Sequence, residues 1–133
     1  MCYNTRQFMS ETPRKKCVLV VDDQLRVLKF IRIDLRLKGF EVLTAASGEE
    51  ALKLLKSTKP DIMLLDLIMP DMDGFEVLKT LRAFSDMPVI AFSASPDKSD
   101  KALLAGANDF MAKPFRVEQL IKRIELLIDH KNR

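Results

Sequence analysis

Five polar side chains stand where apolar runs give out. Asp22 and Asp23 follow Cys17-Val18-Leu19-Val20-Val21, and Asp66 ends Ile62-Met63-Leu64-Leu65. Ser93 ends the run through Ile90-Ala91-Phe92, and Lys113 follows Phe110-Met111-Ala112. Brought into one crevice, three carboxylates repel one another, and one would take up a proton unless a cation compensated. An all-oxygen set of carboxylates with room for water suits Mg²⁺, which is held together with phosphate oxygens rather than in a closed protein cage. A lysine adds a point charge for phosphate, and a serine hydroxyl adds a hydrogen-bond donor. The chemistry these types suggest is phosphoryl transfer, with Asp66 the best-placed nucleophile. Each residue alone has a plainer reading. Asp23 could cap the next helix, Ser93 could be a turn residue, Lys113 a surface charge, Asp73-Gly74 turn chemistry and Phe110 core. Only convergence on one rim makes a site of them.

The elements supply that convergence. Residues 17–21 are a short, β-branched, wholly apolar run, the mark of a strand buried on both faces (β1). Leu25, Leu28, Ile31 and Leu35 recur at helical spacing over 25–38 (α1), closed by Gly39. Residues 40–45 form β2. Ser47 and Glu50 make a capping box for a helix carrying Ala51, Leu52, Leu54 and Leu55 that stops before Pro60 (α2). Residues 61–66 form β3, Phe75, Leu78 and Leu81 mark α3 from near Gly74, and residues 88–93 form β4. Ser95-Pro96, cap then proline at the first helical position, opens a helix to Gly106 (α4). Residues 108–112 are a weak β5. Val117, Leu120, Ile121, Ile124, Leu127 and Ile128 define an amphipathic α5. Strict β-α alternation with buried strands predicts an α/β fold with a parallel sheet covered on both faces. The right-handed five-strand solution is the flavodoxin-like, doubly wound order 2-1-3-4-5 with five helices, and the C-terminal strand ends then face one crevice.

At 133 residues the chain is read as one domain, 17–133, behind a flexible N-terminal extension, 1–16. Arg6, Arg14, Lys15 and Lys16 against Glu11 carry the whole formal excess of +3, so the rest balances near zero. A nucleic-acid domain concentrates basic charge on a face or helix, and this chain does not. No apolar run approaches the roughly 20 residues of a membrane span, and Met1 to Ser10 has no apolar core of a secretory signal. Cys2 and Cys17 are expected to stay unbridged, which fits a reducing cytoplasm.

The motifs together resemble the receiver domain of two-component response regulators. They are Val20-Val21-Asp22-Asp23, Leu64 through Gly74, Phe92-Ser93-Ala94, and Gly106-Ala107-Asn108-Asp109-Phe110 running to Lys113-Pro114-Phe115, and the likeness extends from Cys17 to about His130. The resemblance implies that Asp66 accepts a phosphoryl group from a sensor histidine kinase or histidine phosphotransfer protein. It implies Mg²⁺, with Mn²⁺ as a substitute, held by Asp23, Asp66, the Ile68 backbone carbonyl and, largely through water, Asp22. Lys113 would pair with phosphoryl oxygens, Ser93 would sense them, small Ala94 would leave the donor room, and Lys113-Pro114 would be a cis peptide. Phe110 would turn into the space Ser93 vacates. Two departures bear on coupling: Ser93 lacks the methyl of the commoner threonine, and Phe110 lacks the hydroxyl of the commoner tyrosine.

On this reading the chain is a phosphoacceptor switch rather than an enzyme, with self-catalysed transfer and slow autodephosphorylation. Its output is the α4-β5-α5 surface, with Lys98, Lys101, Arg116, Lys122 and Arg123 as candidate contacts and as a face for dimerisation. The partner downstream is a protein target or an output domain outside this chain; nucleic acid and membrane are not expected partners. Two rivals stand beside it. An aspartate-nucleophile phosphatase would need Asp-x-Asp after β1, where the chain has Asp22-Asp23-Gln24, and a cap insertion. A phosphorylation-independent docking module would not need the acidic set.

Overall fold

The structure, a computed structural model, describes the backbone of residues 14–131 and the side chains of 14–129. Most of the expected extension, 1–13, lies outside the described residues. Its last residues meet the sheet directly. Arg14 Nη2 is 3.0 Å from Asp61 Oδ1, and Lys16 carbonyl accepts from Glu41 N–H at 2.9 Å.

Strands β1 (Cys17–Val21), β2 (Glu41–Ala45), β3 (Ile62–Asp66), β4 (Val89–Ser93) and β5 (Asp109–Ala112) alternate with α1 (Leu25–Leu37), α2 (Gly48–Ser57), α3 (Gly74–Arg82), α4 (Ser99–Leu104) and α5 (Val117–Lys131). All neighbouring strands are parallel, in the order β2-β1-β3-β4-β5. This is the flavodoxin-like sheet expected from the alternation. Its three central strands are buried along their whole length, which is why they read as unbroken apolar runs. Alternate residues feed two cores. Leu19, Met63, Leu65 and Ala91 pack with Val77, Leu78 and Ala102 under α2, α3 and α4. Val18, Leu64, Ile90 and Phe92 pack with Leu28, Ile31, Leu120 and Ile124 under α1 and α5.

The register puts the functional strand ends level: Asp66 lies opposite Phe92, and Ser93 opposite Ala112. Helix ends follow local chemistry. Gly39 and Gly106 take φ of 97° and 114° just past α1 and α4, a region open to glycine at little cost. Ser47 Oγ accepts from Glu50 N–H at 3.2 Å, while Glu50 Oε1 reaches back one residue further than expected, to Ala46 N–H at 2.8 Å.

Two local expectations are corrected, and the plainer alternative for Asp23, a helix cap, is set aside. The helix predicted from Ser95 to Gly106 is a 3₁₀ turn, Pro96–Lys98, followed by a short α4. The tighter turn closes through Lys98 N–H to Ser95 carbonyl, and the Ser95 side chain makes no capping bond. Asp23 does not cap α1; the N-cap is Gln24, whose N–H is taken by Asp22 Oδ1 at 2.8 Å. Cys17, expected as a free core thiol, is disulfide-bonded, and Cys2 lies outside the described residues. Cys17 is fully buried at the first position of β1, and burial alone does not separate a packed thiol from a bridged one. No described helix is long and apolar enough to cross a membrane.

Candidate functional site

The C-terminal rim gathers the acidic residues as the topology requires. One carboxylate oxygen from each of Asp22, Asp23 and Asp66 lies within 4.8 Å of the others. Asp22 is fully buried and Asp66 is 4% exposed, while Asp23 is partly exposed. Asp22 is fixed twice: Oδ1 by Gln24 N–H and Oδ2 by the Lys113 ammonium at 3.0 Å. Asp66 Oδ1 accepts from Ile68 N–H at 3.2 Å, and its Oδ2 lies 3.5 Å from Lys113 Nζ. The ammonium therefore bridges the two buried acids and sits closer to Asp22. Its position is set from below, because Nζ lies 5.0 Å from the centroid of the Phe92 ring, itself met edge-on by Phe115 at 5.7 Å. The Lys113-Pro114 peptide is cis, as expected.

A cleft of about 490 Å³ opens over Asp66, walled by Asp23, Gln24, Ile68, Met69, Pro70, Ala94 and Lys113. Burial and the neighbouring Asp22 charge push the Asp66 carboxyl up to about 6, against the opposing pull of Lys113 and Ile68 N–H. Burial contributes most to that rise and the Asp22 charge next, and together they outweigh the single ammonium. Three clustered hard oxygen donors with one wall open to solvent fit a divalent, oxygen-seeking cation such as Mg²⁺. Ile68, expected to lend its carbonyl, borders the cleft and is 52% exposed.

Ser93 and Phe110 stand one step back. Ser93 is fully buried, its Oγ accepts from Ser95 N–H at 3.0 Å, and its carbonyl accepts from Lys113 N–H at 2.8 Å. The hydroxyl thus serves its own loop and not the cleft. Phe110 lies opposite Ala91, two residues before Ser93 on the same sheet face, and packs half-buried against the core under α2, α3 and α4. Ring and hydroxyl therefore share one face, as the expected switch requires.

Gly74, turn chemistry by its sequence alone, also contributes to the site. A Cβ there would strike the Asp66 carbonyl oxygen and come within 2.6 Å of Leu67 Cα, both backbone. Gly74 N–H also donates to Leu67 carbonyl at 3.0 Å, and Asp73 caps α3 through Glu76 N–H at 3.0 Å. A glycine after Asp-x-Asp signals a turn, but nothing local says that the turn folds back onto the strand end. The surface cations expected as output contacts also divide. Arg123 binds inward to Asp109 and Phe110, Lys101 lies 4.6 Å over the Phe75 ring, and Arg116 pairs loosely with Glu118 at 3.7 Å.

Comparison with known proteins places these observations. Residues 18–125 match the response regulator receiver domain family. The chain is 42% identical over 113 residues to the transcriptional regulatory protein KdpE of Mycobacterium tuberculosis, covering 84% of this chain and 50% of that protein. It is 41% identical over 116 residues to the heme response regulator HssR of Staphylococcus aureus, covering 86% of this chain and 52% of HssR. The chain thus spans about half the length of the curated relatives it matches. Among solved structures, the receiver domain of the Francisella response regulator 1452 superposes with a TM-score of 0.83 at 33% identity, over 88% of this chain and 99% of that one. The response regulator TrrA of Thermotoga maritima, solved with Mg²⁺ and BeF, superposes with a TM-score of 0.78 at 31% identity, over 84% and 98%.

Proposed function

The chain belongs to the response regulator receiver domain family of two-component systems, and on that premise we propose that it works as a switch thrown by phosphorylation of Asp66. The observation that carries this is the pairing of a buried, rigidly mounted carboxylate with an ammonium that bridges it to a second buried acid at the floor of an open cleft. Asp22, Asp23, Asp66 and the Ile68 carbonyl would hold Mg²⁺, or Mn²⁺ in its place. When bound, such an ion supplies positive charge to the phosphoryl oxygens in flight.

The chain's own residues do the rest. An Asp66 carboxylate oxygen attacks phosphorus on a phosphohistidine, the P–N bond breaks, and the imidazole leaves with the bonding pair and gains a proton. Attack needs the ionised carboxylate, and with its value near 6 Asp66 is mostly ionised above pH 7. Lys113 shifts its ammonium from Asp22 toward the new phosphoryl oxygens. Ser93 turns its hydroxyl from Ser95 N–H to donate to a phosphoryl oxygen, and Phe110 follows on the same sheet face. The added charge, about −1.5 to −2 on a typical phosphoresidue, biases the α4-β5-α5 surface. Ala94 at the cleft wall leaves room for the donor.

Asp66 is then a substrate consumed once per signal and not a turnover catalyst. The implied partners, met in the cytoplasm, are a sensor histidine kinase or histidine phosphotransfer protein and, downstream, a protein target or an output domain. Incubation with a small phosphodonor and Mg²⁺, followed by mass spectrometry, tests the assignment. One phosphoryl group on Asp66 is expected. Equal labelling of Asp66→Asn sinks the assignment, and steady turnover of a phosphomonoester would favour the phosphatase reading.

A further inference from the structure

Arg123 does more than decorate the output surface. One of its guanidinium nitrogens, Nη1, donates to Asp109 Oδ1 and to the Phe110 carbonyl, each at 2.9 Å. The same Asp109 Oδ1 accepts from Phe110 N–H at 2.8 Å. Both backbone polar groups of Phe110 are thus held by a two-residue clasp joining β5, the edge strand beside β4, to α5. The Arg123 and Asp109 side chains remain 42% and 32% exposed, so the clasp lies where a partner can reach it. It coexists with Ser93 turned to its own loop and Lys113 turned to Asp22, the arrangement of an unmodified Asp66.

We propose that Arg123 is a positioning residue whose clasp on Asp109 and Phe110 holds the α4-β5-α5 face in its unmodified form and opens when the switch is thrown. The proposal rests on the reading of Asp66 as phosphoacceptor. While Nη1 is committed to Asp109 and Phe110, Arg123 has fewer donors to offer a partner, and release of the clasp frees both the Phe110 backbone and the whole guanidinium. Because coupling between sites is reciprocal, weakening the unmodified form from the α5 side must tighten binding of whatever selects the other form at Asp66.

Fluoroberyllate with Mg²⁺, a phosphoryl analogue, is the probe. Binding is followed through the amide resonances of Phe110 and Met111 in the full chain. Arg123→Gln is expected to bind it about two- to fivefold more tightly than the parent, the scale of a partly exposed ion pair feeding a two-state equilibrium. Arg123→Lys, which keeps the charge but has one head, should fall between them. Asp109→Asn, which attacks the clasp from its other end, should tighten binding like Arg123→Gln, and it serves if that variant does not fold. Unchanged or weaker binding in both neutral variants overturns the proposal, as does Arg123→Lys behaving like Arg123→Gln. If the parent itself fails to bind, or binds no better than Asp66→Asn, the fault lies with the phosphoacceptor reading and not with the clasp.

Discussion

Asp66→Asn should make the metal-free protein more stable at neutral pH, although it removes the proposed phosphoacceptor. The carboxyl titrates at about 6 in the fold against an ordinary 3.8, chiefly because burial and Asp22 disfavour its charge. A raised carboxylate means that the native state binds more protons than the unfolded chain between these two values. Stability therefore falls as pH rises from about 4 to about 6 and stays low above. At about 1.36 kcal/mol per pH unit, the rise corresponds to about 3 kcal/mol at pH 7.5. Asparagine removes that cost and keeps an acceptor for Ile68 N–H, but it forgoes the 3.5 Å contact to the Lys113 ammonium. The net gain should be about 1–3 kcal/mol at pH 7.5 and should largely vanish by pH 4.5. Urea denaturation of parent and variant in a chelator, at both pH values, measures it. Added Mg²⁺ should then stabilise the parent more than the variant and narrow the gap. The reasoning fails if Asp66→Asn is no more stable than the parent at pH 7.5, or if its advantage is the same at both pH values.

Two further outcomes follow from the geometry. Gly74→Ala should lower stability by about 1–3 kcal/mol, read as a fall in the urea midpoint, and should slow labelling by small phosphodonors, because the added methyl meets the backbone of Asp66 and Leu67. Ser47→Ala, which lines no part of the cleft, should cost about 1 kcal/mol in the same denaturation assay by removing the α2 cap, with labelling at Asp66 unchanged.

Much of the fold was legible because a parallel sheet sandwiched between helices leaves its mark on sequence. Strands buried on both faces must be apolar throughout, so each polar residue that ends a run reports a strand end. Asp22, Asp66 and Ser93 stand out in that way, and β-α alternation brings them together with Lys113. What sequence could not give is which atom a side chain chooses once several partners are in reach. Asp22 holds both the Gln24 N–H and Lys113, so Asp23 has no cap to make and faces the cleft. Ser95 looked like a cap before a proline, but the turn that follows is tighter than an α-turn and its hydroxyl is not used. Arg123 looked like one surface cation among several; its partners lie 13 and 14 residues back in the chain, a distance no helical periodicity encodes. Gly74 likewise takes its meaning from Asp66, met only after the chain has turned back on itself.

That return contact also shapes how the loop above it can vary. Residues Leu67 to Asp73 leave the strand and come back to a neck where Gly74 N–H meets Leu67 carbonyl, with no side chain between the Asp66 peptide and the start of α3. Leu67 and Met69 point into the core, but Ile68, Pro70 and Asp71 are exposed at the tip, and Asp71 alone carries a left-handed φ of 68°. A side-chain change at the tip leaves both backbone contacts in place, the neck itself and the Ile68 N–H that holds Asp66 Oδ1. On the reading of Asp66 as phosphoacceptor, the side chains of Ile68 and Pro70 can therefore be rewritten for a different donor while the backbone keeps Asp66 in place, so that partner choice rests on exposed side chains and chemistry on the main chain that mounts the carboxylate.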